Sequence, residues 1–137
     1  MTAIDTLINT ALVTALNANM ALNALCCGDV FDTQARDIDG LDNWIVFMQV
    51  AGGDTNTSPR RDVNVIYRVE FISTEIADAR TGAGYIDDAL HQVELTVPGW
   101  SVYRCECTGQ INLVDLVQGK QYWRKGRFVR ISMDQNS

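Results

Sequence analysis

The stretch DVNVIYRVEFIS, residues 62–73, constrains the fold of this chain more than any other. Val63, Val65, Tyr67, Val69 and Phe71 take every second position, with Asn64, Arg68 and Glu70 between them. A period of two places the first set on one face of a β-strand and the second on the other, so one face meets a core. The period then changes at once. Ile76, Ala79, Ala83, Ile86, Leu90 and Val93 recur at alternating steps of three and four, the repeat of a helix. Thr74 is placed to cap this helix, Gly82 and Gly84 interrupt its stripe, and VPGW (97–100) stops it.

The other segments fit the same plan. Ile4, Leu7, Ile8, Ala11, Leu12, Ala15 and Leu16 form the apolar face of a helix over residues 3–17. NANMALNALCCGD follows, with Asn19 as an N-cap and Gly28 as a stop for a short second helix. Residues 29–43 are polar and turn-like. WIVFMQV (44–50) is apolar on both pleat faces, as in a central strand covered on both sides or nearly so. AGGDTNTSPRR (51–61) reads as a long hairpin loop, too small and polar to fix one conformation in a free subunit and ordered only on assembly. SVYRCEC and YWRKGRFVRISM are extended runs, and TGQ and QGK supply turns. The order α(α)ββαββ predicts an α+β fold: one domain over 1–137, with an antiparallel sheet of about four strands and helices packed on one face.

Charge is distributed unevenly. The chain has 11 Lys+Arg against 17 Asp+Glu, a net charge of -6. Yet GKQYWRKGRFVRISM (119–133) holds Lys120, Arg124, Lys125, Arg127 and Arg130 without one acid, threaded among Tyr122, Trp123 and Phe128. Bases among aromatics suit either nucleic acid or a charge-complementary protein surface. The acidic balance of the whole argues against broad phosphate binding. KGRFVRI is similar to the RNA-stacking strand of an RNA-recognition fold, but lacks aromatics at alternate positions. No run approaches the ~20 apolar residues that span a bilayer, and no secretion signal opens the chain, so the expected compartment is the cytoplasm.

Catalytic and metal-binding patterns are missing. His91 is the single histidine, read as a solvated residue near the end of the long helix, where it suits the dipole. No nucleophile motif surrounds any Ser or Cys. DIDGLDN brings Asp37, Asp39 and Asp42 together, but Gly40 falls too early and Leu41 takes a ligand position, which leaves a solvated turn. AGGDTNTS lacks the lysine of a phosphate loop, and Asp87–Asp88 read as solvated. Cys26–Cys27 and Cys105-Glu106-Cys107 lack zinc-ligand spacing, and Cys105 and Cys107 would share a strand face as inert buried thiols. The reading is a protein with no catalytic, cofactor-binding or metal site.

The layout resembles the tail terminator (tail completion) proteins of long-tailed bacteriophages and related particles. The likeness is carried by IDTLINTALVTALNA, by the strand pair WIVFMQV and VNVIYRVEFIST, by the helix STEIADARTGAGYIDDALHQ, and by the closing strand YWRKGRFVRISM. It spans nearly the whole chain as a pattern of elements. It implies an α+β subunit that forms a homo-oligomeric ring, a hexamer in that family, on the end of the tail tube within the virion. Such a ring stops tube growth and meets the neck or head-completion protein, with DNA only passing through its lumen and no cofactor or membrane involved. The candidate assembly residues are then Lys120, Arg124, Lys125, Arg127 and Arg130 on the closing strand, and Gly52, Gly53, Asp54, Arg60 and Arg61 in the polar loop. Reversing charge at Arg124 and Arg127 is expected to weaken the ring and spare the fold. The alternatives are another neck or head-completion protein, or a small ligand-binding α+β domain.

Overall fold

The alternation at 62–73 and the helix behind it are both present in the computed structural model, which describes residues 4–26, 30–32, 43–56, 61–117 and 119–136. The described elements run α1 (Ile4–Ala18), α2 (Met20–Cys26), β1 (Val30–Asp32), β2 (Asn43–Asn56), β3 (Arg61–Ser73), α3 (Ile76–Leu90), β4 (Trp100–Val117) and β5 (Lys120–Gln135). They build one sheet of order β1-β2-β3-β5-β4. The four long strands pair antiparallel, and β1 lies parallel to β2. After α3 the chain enters β4 at the far edge, and β5 returns between β4 and β3.

The inward set of β3 is fully enclosed. Val63, Val65, Tyr67, Val69 and Phe71 are buried beside Val129, Ile131 and Met133 of β5 and Ile45 and Phe47 of β2. Ile8, Leu12 and Leu16 of α1 and Ile86 and Leu90 of α3 close the core from one side of the sheet. Asn19 caps α2 as read, its Oδ1 accepting the Leu22 N–H at 3.0 Å. No helix among the described residues is long and apolar enough to cross a membrane.

Four readings change. Residues 30–32 of the segment read as turn-like form β1, three residues being too few to show a period. Residues 33–42, with Asp37, Asp39 and Asp42, lie outside the described residues. β2 is an interior strand between β1 and β3 but is fully covered on one face only: on the face away from the helices Trp44 is buried, while Val46 and Met48 stay half-buried. α3 ends at Leu90, short of Val93, and its N-cap is Glu75 rather than Thr74. Ser73 Oγ accepts the Glu75 N–H at 3.0 Å and supplies the turn into the helix.

The largest correction concerns 51–61. Ala51–Asn56 pairs residue by residue with Arg61–Ile66, after an irregularity between Gln49 and Ala51. Gly53, Asp54 and Arg61 are therefore ladder residues. Backbone hydrogen bonds carry the ladder through residues 51–56, which offer no apolar side chain larger than that of Ala51, a contribution that composition does not reveal. Gly52 fits here because its φ is +90°, and a Cβ would overlap the Asn64 carbonyl across the ladder. Arg60 lies outside the described residues.

Candidate functional site

Strand parity splits the five bases between two environments. On β5 the helix-facing set includes Arg127 opposite Val69 and Lys125 opposite Phe71, while Arg124 and Arg130 oppose Ile72 and Ile66 on the other face. That second face is covered by no helix among the described residues. It carries half-buried Val46, Met48, Ile66, Ile72 and Phe128 around a charged centre.

The centre is Glu70, only 2% exposed. A carboxylate that deep must be paired and hydrogen-bonded. Arg124 clamps it with two bonds, Nε to Oε2 at 2.7 Å and Nη2 to Oε1 at 3.0 Å. Arg68 approaches from its own strand with Nε 2.8 Å from Oε1. The remaining Arg124 nitrogen, Nη1, reaches Asp115 Oδ2 at 2.9 Å. Burial alone would lower the Arg124 pKa, but its bonds to Glu70 and Asp115 outweigh that and hold it above its ordinary value. The result is a four-member chain of charge, Arg68–Glu70–Arg124–Asp115, across three strands. Trp44 and Tyr122 stand beside it, ring centroids 5.5 Å apart in an edge-on contact.

These pairings correct the expectation that charge at Arg124 and Arg127 can be reversed without touching the fold, which needs both side chains to face solvent. They are 21% and 22% exposed, and each binds acids of its own chain. Lys125 donates to Asn112 Oδ1 at 2.8 Å. Lys120 sits 5.7 Å from the Tyr122 ring centre, and Arg130 is exposed with no ion-pair partner among the described residues. The sequence placed Glu70 on the outer face correctly. What it could not supply was the β3–β5 register that sets Arg124 diagonally across from it.

On the helix side the fold assembles a group that sequence spacing did not show. Asp87 and His91, from the last turn and cap of α3, meet Cys107 of β4, with ligand-type atoms within 4.8 Å of one another. The three are 87, 91 and 107 in sequence, and only the helix-to-strand packing joins them. His91 is the C-cap of α3, and its Nδ1 accepts the Cys107 backbone N–H at 3.0 Å. With that lone pair occupied, the proton of a neutral ring rests on Nε2. Arg127 Nε stands 3.5 Å from Asp87 Oδ1. The Cys107 thiol is pushed up to about 12 by burial first, then by the charge and hydrogen bond of Asp87. A cation would have to break the imidazole contact, ionise that thiol and sit beside a guanidinium. The group works as a latch between helix and sheet. Cys105 belongs to the same latch, its Sγ donating to the Leu90 carbonyl at 3.1 Å and its thiol raised to about 12 by burial and by Glu106.

These thiols should be slow nucleophiles. A pKa of about 12 leaves roughly one thiolate in ten thousand at pH 8, where an ordinary cysteine near 8.5 is about one-quarter ionised. Alkylation at pH 8, mapped by peptide mass spectrometry, should therefore label Cys105 and Cys107 at least about a hundredfold more slowly in the folded protein than in urea. Equal rates in the two states would show that the latch is open in solution.

No family model and no curated protein matches the chain. Its fold is found in a virion. In the solved structure described as "Virion of native gene transfer agent (GTA) particle", one chain superposes on this one with a TM-score of 0.79. The match covers 98% of this chain and 99% of that chain at 15% sequence identity, a likeness of architecture.

Proposed function

We propose that the protein is a structural subunit of a phage-like particle and acts there as the tail terminator. The observation that carries this reading is the shared fold with a virion chain over nearly the full length of both. The same order of elements underlies the resemblance to tail terminators drawn from the sequence. Two features of the molecule support a structural role. Its chemistry-bearing residues, His91, Cys107, Asp87 and Glu70, are tied to one another and to the backbone rather than presented around a cleft. Among the described residues no helix covers one face of the sheet, where half-buried aliphatic and aromatic side chains surround a sealed ion network, which suits burial against a partner.

The proposed partners are further copies of the chain in a sixfold ring, the tail tube protein below it and the neck or head-completion protein above it. DNA passes through the lumen, and an acidic ring lets it pass without adhesion. Arg130 and Lys120, the two exposed bases of β5, are the proposed contacts with acids of a neighbour. Light scattering after size exclusion should give a closed ring near six copies, whereas a strict monomer at all concentrations would overturn the ring. Particles assembled without this subunit should carry tubes of unregulated length. Normal tails with unjoined heads would instead mark a head-completion protein. Reversing Arg130 to Glu should weaken the ring most at low salt, since an exposed pair contributes only about 0–1 kcal/mol and is screened by added ions.

A further inference from the structure

The β4–β5 hairpin outruns the rest of the sheet. Pairing of β3 with β5 ends at Ser73 and Trp123, while β4 and β5 continue to Val117 and Lys120. A two-stranded ribbon without further cover is marginally stable alone. This one nevertheless displays Val114 at 49% and Leu116 at 73% exposure. As alternate residues of one strand they point to the same side, the side on which the helices lie farther back. Lys120 stands exposed at the turn end of the same tip, on the opposite pleat face beside Tyr122.

A matching hollow lies at the other end. Between α1 and the segment leading into β4 is a cavity of about 400 Å³, walled by Leu7, Ala11, Ala15, Leu95 and Pro98, with Glu94 also in its lining. The Thr10 and Thr14 hydroxyls, which also line it, donate back to the Thr6 and Thr10 carbonyls at 2.9 Å. They make no demand for a polar partner within the cavity. Along β4, Leu116 stands sixteen residues from Trp100, roughly 50 Å at ~3.3 Å per residue. Knob and hollow are therefore too far apart to meet within one molecule.

We propose that the hairpin tip of one copy docks in the α1 hollow of the next, with Val114 and Leu116 in the cavity and Lys120 against Glu94. The occupant is a second copy because both halves of the contact are on this chain, apolar against apolar and cation against anion. A contact between unlike patches at opposite ends of a subunit repeats head to tail, which closes into a ring or runs on as a filament. The inference rests on the ring reading and specifies its contact.

The test uses the full chain. Thr14→Cys and Leu116→Cys variants are prepared separately, then mixed under mild oxidation. A disulfide-linked pair containing one of each is expected on mixing, well above the level in either variant alone. In parallel, Leu116→Asp should raise the concentration for half-assembly about tenfold or more, the effect of losing one buried leucine, with an unchanged thermal midpoint because the residue is exposed in the free subunit. Lys120→Glu should weaken assembly severalfold, and adding Glu94→Lys should restore it. A parent that forms rings without the Thr14→Cys/Leu116→Cys adduct overturns this contact and leaves the ring standing. A parent that stays monomeric overturns both.

Discussion

Arg124→Glu should cost about 3–5 kcal/mol of folding stability, the range for breaking a buried pair by removing one partner. The reversal takes a bidentate clamp from Glu70, which stays 2% exposed, and sets a second carboxylate against it. Arg68 remains, but it is the more exposed of the two guanidines and already uses Nη2 on Met48 Sδ at 3.2 Å. The expectation from sequence, that reversal here spares the fold, is therefore replaced by a stability effect that precedes any effect on assembly. Urea denaturation read by tryptophan fluorescence measures it. The companion variant Glu70→Met with Arg124→Met removes both charges, and it should lie within about 1–2 kcal/mol of the parent in either direction, because apolar replacement of a buried pair avoids the desolvation cost. If the reversal alone proved neutral, Glu70 would not be sealed as described. Assembly assays of Arg124 variants mean little without this control, and Arg130 is the cleaner probe.

Two glycines of α3 should respond in opposite directions to the same change. A Cβ at Gly82 would overlap the ring of Phe71, which is itself fully buried in β3, whereas a Cβ at Gly84 meets nothing. Alanine gains about 1 kcal/mol over glycine in a helix interior. At Gly84 that gain should appear nearly whole. At Gly82 it is opposed by overpacking of about 1–3 kcal/mol against an aromatic that cannot yield, so Gly82→Ala should be net destabilising. Stabilisation at both sites would mean that Phe71 repacks freely and that helix and sheet are less tightly apposed than the structure has them.

Much of the architecture was readable in advance where a period ran long enough. Twelve residues of clean alternation placed Tyr67 and its neighbours inward, and the three-four repeat of α3 buried Ala79, Ala83, Ile86 and Leu90 as expected. The readings failed where backbone pairing acts without a side-chain signature. Gly52 and Asp54 looked like loop residues because their composition is that of a loop, yet a β-ladder asks only for N–H and C=O groups at the right spacing. β1 is too short to carry a period at all.

Function-bearing residues show the same division more sharply. Composition and order alone set the acidic balance, the five-base closing strand, the inward face of β3 and the outward placement of Glu70 and Arg130, since each depends only on residue type and on position within one element. Tertiary structure alone decided that Arg124 clamps Glu70, that Arg127 meets Asp87, that His91 and Cys107 close a latch, and that a bare apolar hairpin tip stands far from an apolar hollow. Each of those depends on the register between strands or on the seat of a helix on a sheet. Such distances are set by how the whole core packs, and no local pattern along the chain encodes them.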